Sequence, residues 1–326
     1  MKKIIVDAMG GDLGSQIVVE GILAFLQTHK DTKVTVVGKK EELTALEGTC
    51  EIIDARDVVP MDAGALEVIR MKSSSMMIAL NTMKEESYDA IVSCGSTGGF
   101  LSASTLVLKN ISGVKRAALV SPFPTQIKGK KAVLLDIGAN AENSSEELLQ
   151  FAKMGRLYSQ IVFNVENPAT YLLSNGVEDK KGSPLVKETK ALLKETNFPN
   201  FKGNIEARDA LNGSADVVVS DGFTGNIFLK SGEGIAKWMG SMIKSAFKKN
   251  LWTKLGYLHV RKGMKDMLET MDYKSTGGAM LLGVNGVVVK AHGSSDAYSF
   301  SCAMNVADKL VENDIVNKIK VGIVDA

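Results

Sequence analysis

Val217-Val218-Val219-Ser220-Asp221-Gly222-Phe223-Thr224-Gly225-Asn226 reads as a buried strand that stops at a small polar loop, from which a helix leaves. Three β-branched residues in a row suit a strand covered on both faces. Asp221 and Gly222 end it, and Thr224 and Asn226 are helix-starting residue types. A helix N-terminus delivered by a strand is a ready anion site, because its leading N–H groups have no intrahelical acceptor. The loop is therefore a candidate phosphate cradle.

The same unit recurs along the chain. Lys3–Val6 is a strand ending in Asp7-Ala8-Met9-Gly10-Gly11-Asp12, with Ser15 placed to cap the helix that follows. Lys33–Val37 and Cys50–Ile53 read as strands. Ile69-Arg70-Met71-Lys72-Ser73-Ser74-Ser75 puts two cations and three hydroxyls at a helix start, which suits either an anion or a capped surface helix with solvated cations. Ala90–Ser93 runs into Cys94-Gly95-Ser96-Thr97-Gly98-Gly99, where no lysine follows the glycines, so this is not a Walker loop. Cys94 reads as a small residue packed at a strand end rather than a nucleophile, because no histidine lies nearby in sequence to activate it.

Ala117–Ser121 and Lys131–Leu135 are further strands, the second ending in Asp136-Ile137-Gly138-Ala139-Asn140. Ser144 and Ser145, followed by Glu146 and Glu147, start a helix with acids in its first turn. Thr170–Leu173 leads to Ser174-Asn175-Gly176-Val177-Glu178-Asp179-Lys180-Lys181-Gly182. Near the end, Met280–Leu282 and Val287–Val289 are strands, the latter opening into Lys290-Ala291-His292-Gly293-Ser294-Ser295-Asp296 and a final helix. His292 is the histidine placed at a strand-end Gly/Ser loop; His29 and His259 fall on surface segments. Strand–helix alternation predicts a mostly parallel sheet with helices on both faces, and such a sheet gathers its polar loops along one edge.

One segment departs from this pattern. Residues 227–272 are helical by periodicity, and residues 240–274 form a basic amphipathic hairpin. From Lys244 to Lys274 there are eight Lys/Arg and three Asp/Glu. Leu251, Leu255 and Leu258 share a helical face beside Trp252, with Lys254, Arg261 and Lys262 close by, and Met264, Met267, Leu268 and Met271 continue the stripe. This suits a membrane surface or an acidic partner, or else a hairpin packed on the body or on a second subunit.

Bulk properties narrow the functional classes. The chain has 326 residues, enough for one large or two intertwined α/β units. Lys+Arg number 39 against 37 Asp+Glu, and aromatics are 6%, so neither global charge nor stacking surface points to nucleic acid. Cys50, Cys94 and Cys302 lack metal-ligand spacing and suit a reduced cytoplasmic protein. The first apolar run ends at Asp7, too short for a signal peptide, and no stretch approaches the ~18 apolar residues of a spanning helix. No metal cluster, dinucleotide fingerprint or Ser-His-Asp spacing stands out, and no metal or cofactor is expected. Glycine-rich strand ends with isolated cations favour chemistry on a phosphate. With no protein nucleophile evident, phosphate itself can attack, since at neutral pH it is already anionic and needs orientation more than deprotonation.

Seven of these motifs together resemble the PlsX-type bacterial phosphate acyltransferases: Asp7–Asp12, Arg70-Met71-Lys72-Ser73-Ser74, Asp136–Asn140, Glu178-Asp179-Lys180-Lys181-Gly182, Gly203-Asn204-Ile205-Glu206-Ala207-Arg208-Asp209, Asp221–Asn226 and Lys290–Asp296. They occur in register along essentially the whole chain. The resemblance implies transfer of a long-chain acyl group from acyl carrier protein to inorganic phosphate, giving acyl-phosphate for glycerophospholipid synthesis. It implies a three-layer α/β/α sandwich with a mixed, mostly parallel sheet and a protruding helical hairpin, similar to isocitrate and isopropylmalate dehydrogenases, with residues 1–326 forming one catalytic domain of two intertwined subdomains. It also implies a homodimer, and a cytoplasmic protein that rests on the inner face of the membrane through the hairpin and passes its product to a membrane glycerol-3-phosphate acyltransferase.

For roles, Lys181 is expected as the main cation for phosphate and the developing oxyanion, and Asn226 as a donor to phosphate or to the thioester carbonyl. His292 and Asp221 are candidates for orienting the nucleophile or handling a proton. Substrate contacts are expected from Asp7, Gly10 and Gly11, from Arg70, Lys72 and Ser73, from Ser96 and Thr97, and from Asn140, Thr224 and Gly225. Two departures from the family pattern stand out. Leu13, Gly14 and Ser15 occupy the places where His and then Ala-Pro are usual. Gly95-Ser96-Thr97-Gly98 replaces Gly-Asn-Thr-Gly, so a hydroxyl stands for an amide. Rival readings are a phosphate acetyl- or butyryl-type transferase using coenzyme A, a decarboxylating dehydrogenase, for which no acid cluster or cofactor loop is found, and a non-catalytic membrane scaffold of lipid synthesis.

Overall fold

The three valines of the opening stretch alternate. Val217 and Val219 enter one hydrophobic cluster, Val218 enters another, and all three are buried. Ile4 and Val6 against Ile5 do the same in the first strand, as the period-2 geometry of a strand requires. The clusters cover opposite faces of one sheet, and burying each such side chain contributes roughly 1.5–3 kcal/mol. The computed structural model describes residues 1–271 and 277–324.

The strands are β1 Lys2–Asp7, β2 Thr32–Gly38, β3 Glu51–Asp54, β4 Ala90–Ser93, β5 Ala118–Pro124, β6 Lys131–Leu135, β7 Thr170–Ser174, β8 Phe201–Glu206, β9 Val217–Val219, β10 Ala279–Leu282 and β11 Val287–Lys290. The helices are α1 Ser15–Thr28, α2 Ala65–Arg70, α3 Ser75–Glu85, α4 Thr97–Leu108, α5 Ser145–Phe163, α6 Pro184–Glu195, α7 Gly222–Lys248, α8 Leu251–Met271, α9 Ala297–Glu312 and α10 Ile315–Val324. Residues of α1, α5, α6, α9 and α10 join the first cluster. Those of α2, α3 and α4 join the second, with Phe228 and Leu229 of α7 against it. The result is the expected α/β/α sandwich.

The strand order is β3-β2-β1-β4-β11-β10-β5-β6-β9-β7-β8. β3, β2, β1, β4 and β11 are mutually parallel. β10 is antiparallel to both β11 and β5, and β5 is antiparallel to β6. β6, β9, β7 and β8 are again parallel to one another. The sheet is therefore mixed and mostly parallel, but its two halves run in opposite directions. This corrects the expectation of one loop-bearing edge. The loops after β1, β4 and β11 lie at one edge, and those after β6, β9, β7 and β8 lie at the other.

Several local differences have simple causes. Asp221 is the N-cap of α7, so the helix starts at Gly222, ahead of Thr224 and Asn226. Gly14, at φ 75, occupies the cap position of α1, and Ser15 is its first residue, bonded instead to Glu42. β8 and α6 join the elements expected from periodicity. Helices α7 and α8 are joined through Lys249 and Asn250. There the Asn250 side chain accepts from the Thr253 N–H at 2.9 Å, and the Thr253 hydroxyl accepts from the Asn250 N–H at 3.1 Å. Phe247 and Tyr257 pack across the pair at 5.3 Å between ring centroids. At 27 residues, α7 is about 40 Å long. Ser275 and Thr276, and the side chains of Met267, Leu268 and Met271, lie outside the described residues. Among the described residues, no helix is long and apolar enough to cross a membrane.

Candidate active site

The loop after β6 is wound around its own carboxylate. Asp136, fully buried, accepts from the N–H groups of Leu119 (3.0 Å), Gly138 (3.1 Å), Ala139 (2.9 Å) and Asn140 (2.9 Å), and from the Asn140 side chain (2.7 Å). Burial still holds its pKa above the ordinary aspartate value. The first turn of α7 sits directly on this loop. A Cβ on Gly225 would collide with the Asp136 carbonyl oxygen, and one on Gly222 with the Asn140 carbonyl oxygen. These glycines permit backbone-to-backbone packing.

The expected site residues of this edge divide by how their polar atoms are used. The Asp221 carboxylate accepts from the Thr224 N–H and the Thr224 hydroxyl, both at 2.8 Å, which is a cap. The Asn140 side chain donates to Asp136 and to the Ala117 carbonyl. Asn226 is different. It rests on Gly138, where a built Cβ would lie 3.4 Å from Asn226 Cβ, and its amide has no hydrogen-bond partner among the described residues. Lys181 is exposed at the same edge, its stem folded over Gly176, and its ammonium carries no ion pair among the described residues. Neighbouring Asp179 is held instead by Lys190 at 2.6 Å and Lys194 at 3.3 Å.

A cavity of about 450 Å³ links this edge to the other. Its floor is Leu119, Ser121 and Phe123 of β5, alternate residues on one face of the strand. Its roof is Asn226, Leu229, Lys230 and Glu233, which share one face of α7 over about 10 Å of helix. At the far end stand Asp12, Thr97, Lys290 and His292. The cavity thus runs beneath α7, across the antiparallel strands where the sheet reverses.

At the far end the loops brace one another. The Asp12 N–H donates to the Gly293 carbonyl at 2.9 Å. The Ser294 N–H donates to His292 Nδ1 at 3.2 Å, which leaves the ring proton of neutral His292 on Nε2. Burial lowers the pKa of His292, so the ring is neutral at neutral pH. Lys290, 6% exposed, donates to the Ala291 carbonyl, and burial brings its pKa down to about 8. Asp7 is outside the cavity lining. It accepts from Ser75 (2.6 Å), Ser93 (2.7 Å) and the Met9 N–H (3.2 Å), while burial raises its pKa. Ser96 caps α4 and donates to the Met61 carbonyl, leaving Thr97 to line the cavity.

Gly10 and Gly11 line an adjoining cavity of about 380 Å³ with Asp12, Glu42 and Met61. A Cβ on Gly11 would lie 2.7 Å from Cys94 Sγ, and the buried Cys94 thiol is pushed up to about 11, so it is the packed residue expected. Arg70, Lys72 and Ser73 are exposed and outside the main cavity, and Ser73 donates to Asp57 at 2.6 Å. Lys290, Lys230 and Glu233 are cavity residues that motif reading did not single out. Lys290 opens the Lys290–Asp296 motif but was given no role of its own, and the other two are hidden in the length of α7.

On α8, Leu251 (71% exposed), Trp252 (81%), Leu255 and Leu258 are exposed, as are Lys254, Arg261 and Lys262. Among the described residues no three His, Cys, Asp or Glu side chains converge as a metal-holding group.

Comparison with known proteins brings three findings. Residues 2–318 match the family model described as fatty acid synthesis protein. The chain is 38% identical to the phosphate acyltransferase of Mesoplasma florum, over 98% of this chain and 99% of that one. In structure it is similar to a phosphotransacetylase from Streptococcus pyogenes (TM-score 0.58, 17% identity, 100% of this chain and 95% of that one) and to 4-hydroxythreonine-4-phosphate dehydrogenase from Klebsiella pneumoniae (TM-score 0.50, 13% identity, 95% and 98%). At these identities the structural likeness concerns the fold.

Proposed function

This chain belongs to the fatty acid synthesis protein family of phosphate acyltransferases, and from that premise we propose that it moves a long-chain acyl group from acyl carrier protein to inorganic phosphate. A phosphate oxygen attacks the thioester carbonyl carbon, a C–O bond forms, the C–S bond breaks, and the carrier thiolate leaves and takes up a proton. The products are acyl-phosphate and free carrier.

The observation that carries this reading is the cavity beneath α7. Its lining combines apolar Leu119, Phe123, Ile137 and Leu229 with polar Asn226, Thr97, Lys290 and His292. Its volume lies within the roughly 300–1,000 Å³ of small-molecule sites. Asn226 donates its uncommitted amide to the thioester carbonyl, where negative charge grows in the transition state. Lys181, exposed at the same edge and outside the cavity lining, supplies positive charge to the developing oxyanion and to phosphate as it enters. Neutral His292 lines the opposite end. Asp221 serves α7 as its N-cap, both of its carboxylate oxygens being spent on Thr224.

The remaining assignments rest on exposed surface. Exposed Leu251, Trp252, Leu255 and Leu258 among lysines and arginine support peripheral membrane contact, with delivery of acyl-phosphate to a membrane glycerol-3-phosphate acyltransferase. Exposed Ile235, Trp238 and Met242 on α7 support a homodimer. We take the reversal of the sheet as the seam between two intertwined subdomains of one catalytic domain.

The test is release of free carrier from acyl carrier protein thioester, with and without phosphate, by wild type, Lys181→Ala and Asn226→Ala. Both variants should fold normally and lose most of the phosphate-dependent release. Near-normal release by either removes that residue from its role. Competition between carrier and coenzyme A thioesters identifies the donor.

A further inference from the structure

Lys290 is a buried basic side chain on the cavity wall. It is 6% exposed at the end of β11 and lines the cavity. Among the described residues it makes no ion pair. Its one hydrogen bond goes to the Ala291 carbonyl, and the nearby Asp7 carboxylate is committed to Ser75, Ser93 and the Met9 N–H. Burying a cation without a bonded counter-charge is costly, and such a group persists where an anion is meant to meet it. The depressed pKa reports the same desolvation.

The surroundings suit an anion. Thr97 and Gly98, the first two residues of α4, line the same end of the cavity, so the positive end of that helix faces it. His292, which carries its proton on Nε2, lines it too. Asp12 and Glu233 are the acids at this end; Glu233 is paired with Lys230 at 3.0 Å, and Asp12 limits the net positive charge. Resting on the function proposed above, the geometry points to Lys290 as the inner phosphate-binding residue: its ammonium holds the far oxygens of inorganic phosphate while Asn226 holds the thioester carbonyl. The bond changes are those already given; Lys290 keeps its proton throughout.

Two measurements test this. In steady-state kinetics, Lys290→Met should raise the phosphate KM at least tenfold and leave the KM for the acyl donor unchanged, with Lys290→Arg in between. An unchanged phosphate KM in a folded Lys290→Met overturns the assignment. The second measurement uses wild-type protein and no acyl donor, so it does not depend on the variants folding or on the donor being correct. Lysines are reductively methylated with and without saturating inorganic phosphate and mapped by mass spectrometry. Phosphate should slow modification of Lys290 at least fivefold. Equal modification in both conditions, no modification of Lys290 without phosphate, or protection of Lys181 alone each overturns it. Absence of phosphate-dependent carrier release by wild type, with Lys290 still protected, would instead overturn the function and keep the phosphate site.

Discussion

Asp221 and Asn226 share one loop, and hydrogen bonding separates their tasks. Asp221 spends both oxygens on Thr224, whereas the Asn226 amide is uncommitted among the described residues. Asp221→Ala should lower stability by about 1 kcal/mol, the usual value of an N-cap, and leave activity per folded molecule largely intact at low temperature. Asn226→Ala should do the reverse: little change in thermal melting, and a fall in kcat of about 100-fold, typical of losing an oxyanion donor. Melting curves and kinetics on the same two proteins check both. His292 adds a pH dependence. Its folded pKa lies below the unfolded value, so between the two the unfolded chain binds more protons, and stability is lost as pH falls through the ordinary histidine range near 6.5. Denaturant titrations from pH 8 to 5 should show that loss, and His292→Gln should flatten it. Motif reading found Asn226 and His292 because each stands in a glycine-punctuated loop. It passed over Lys290, because the burial of that side chain depends on which strands flank β11, and local sequence does not encode that.

Among the elements, α7 was legible as a helix, but the close packing of its first turn was not. Gly222 and Gly225 look like a phosphate cradle, yet the structure uses them to let the helix backbone rest on the Asp136–Asn140 loop. Gly225→Ala should therefore cost about 1–3 kcal/mol through overpacking, measured as a lower denaturant midpoint even in saturating phosphate. β8 was missed because Gly203 and Asn204 interrupt its apolar alternation, and Asn204 is spent bonding the Gly176 and Lys181 carbonyls. The basic stripe of α8 was visible from helical spacing alone, and its exposure follows from the hairpin leaving the body. Leu251→Glu with Leu255→Glu should abolish flotation with anionic vesicles while far-UV circular dichroism stays unchanged. Undiminished flotation would remove α8 from membrane contact.

At the scale of the molecule, alternation of strands and helices sufficed for the three-layer sandwich, and apolar runs located nearly every strand. Direction was not readable. Short buried strands such as Met280–Leu282 look the same whichever way they run, so the antiparallel β10–β5–β6 centre stayed hidden, and with it the division of the polar loops between two edges. That division makes the cavity beneath α7 the connection between Asn226 at one end and Lys290 and His292 at the other. The central claim is that phosphate and an acyl thioester meet there. It is tested most directly by incubating the purified protein with a long-chain acyl carrier protein thioester, with and without inorganic phosphate, and measuring free carrier and acyl-phosphate. The account predicts that both products appear together, in equal amounts, only when phosphate is present. Carrier release at the same rate without phosphate, or activity confined to coenzyme A thioesters, would contradict it.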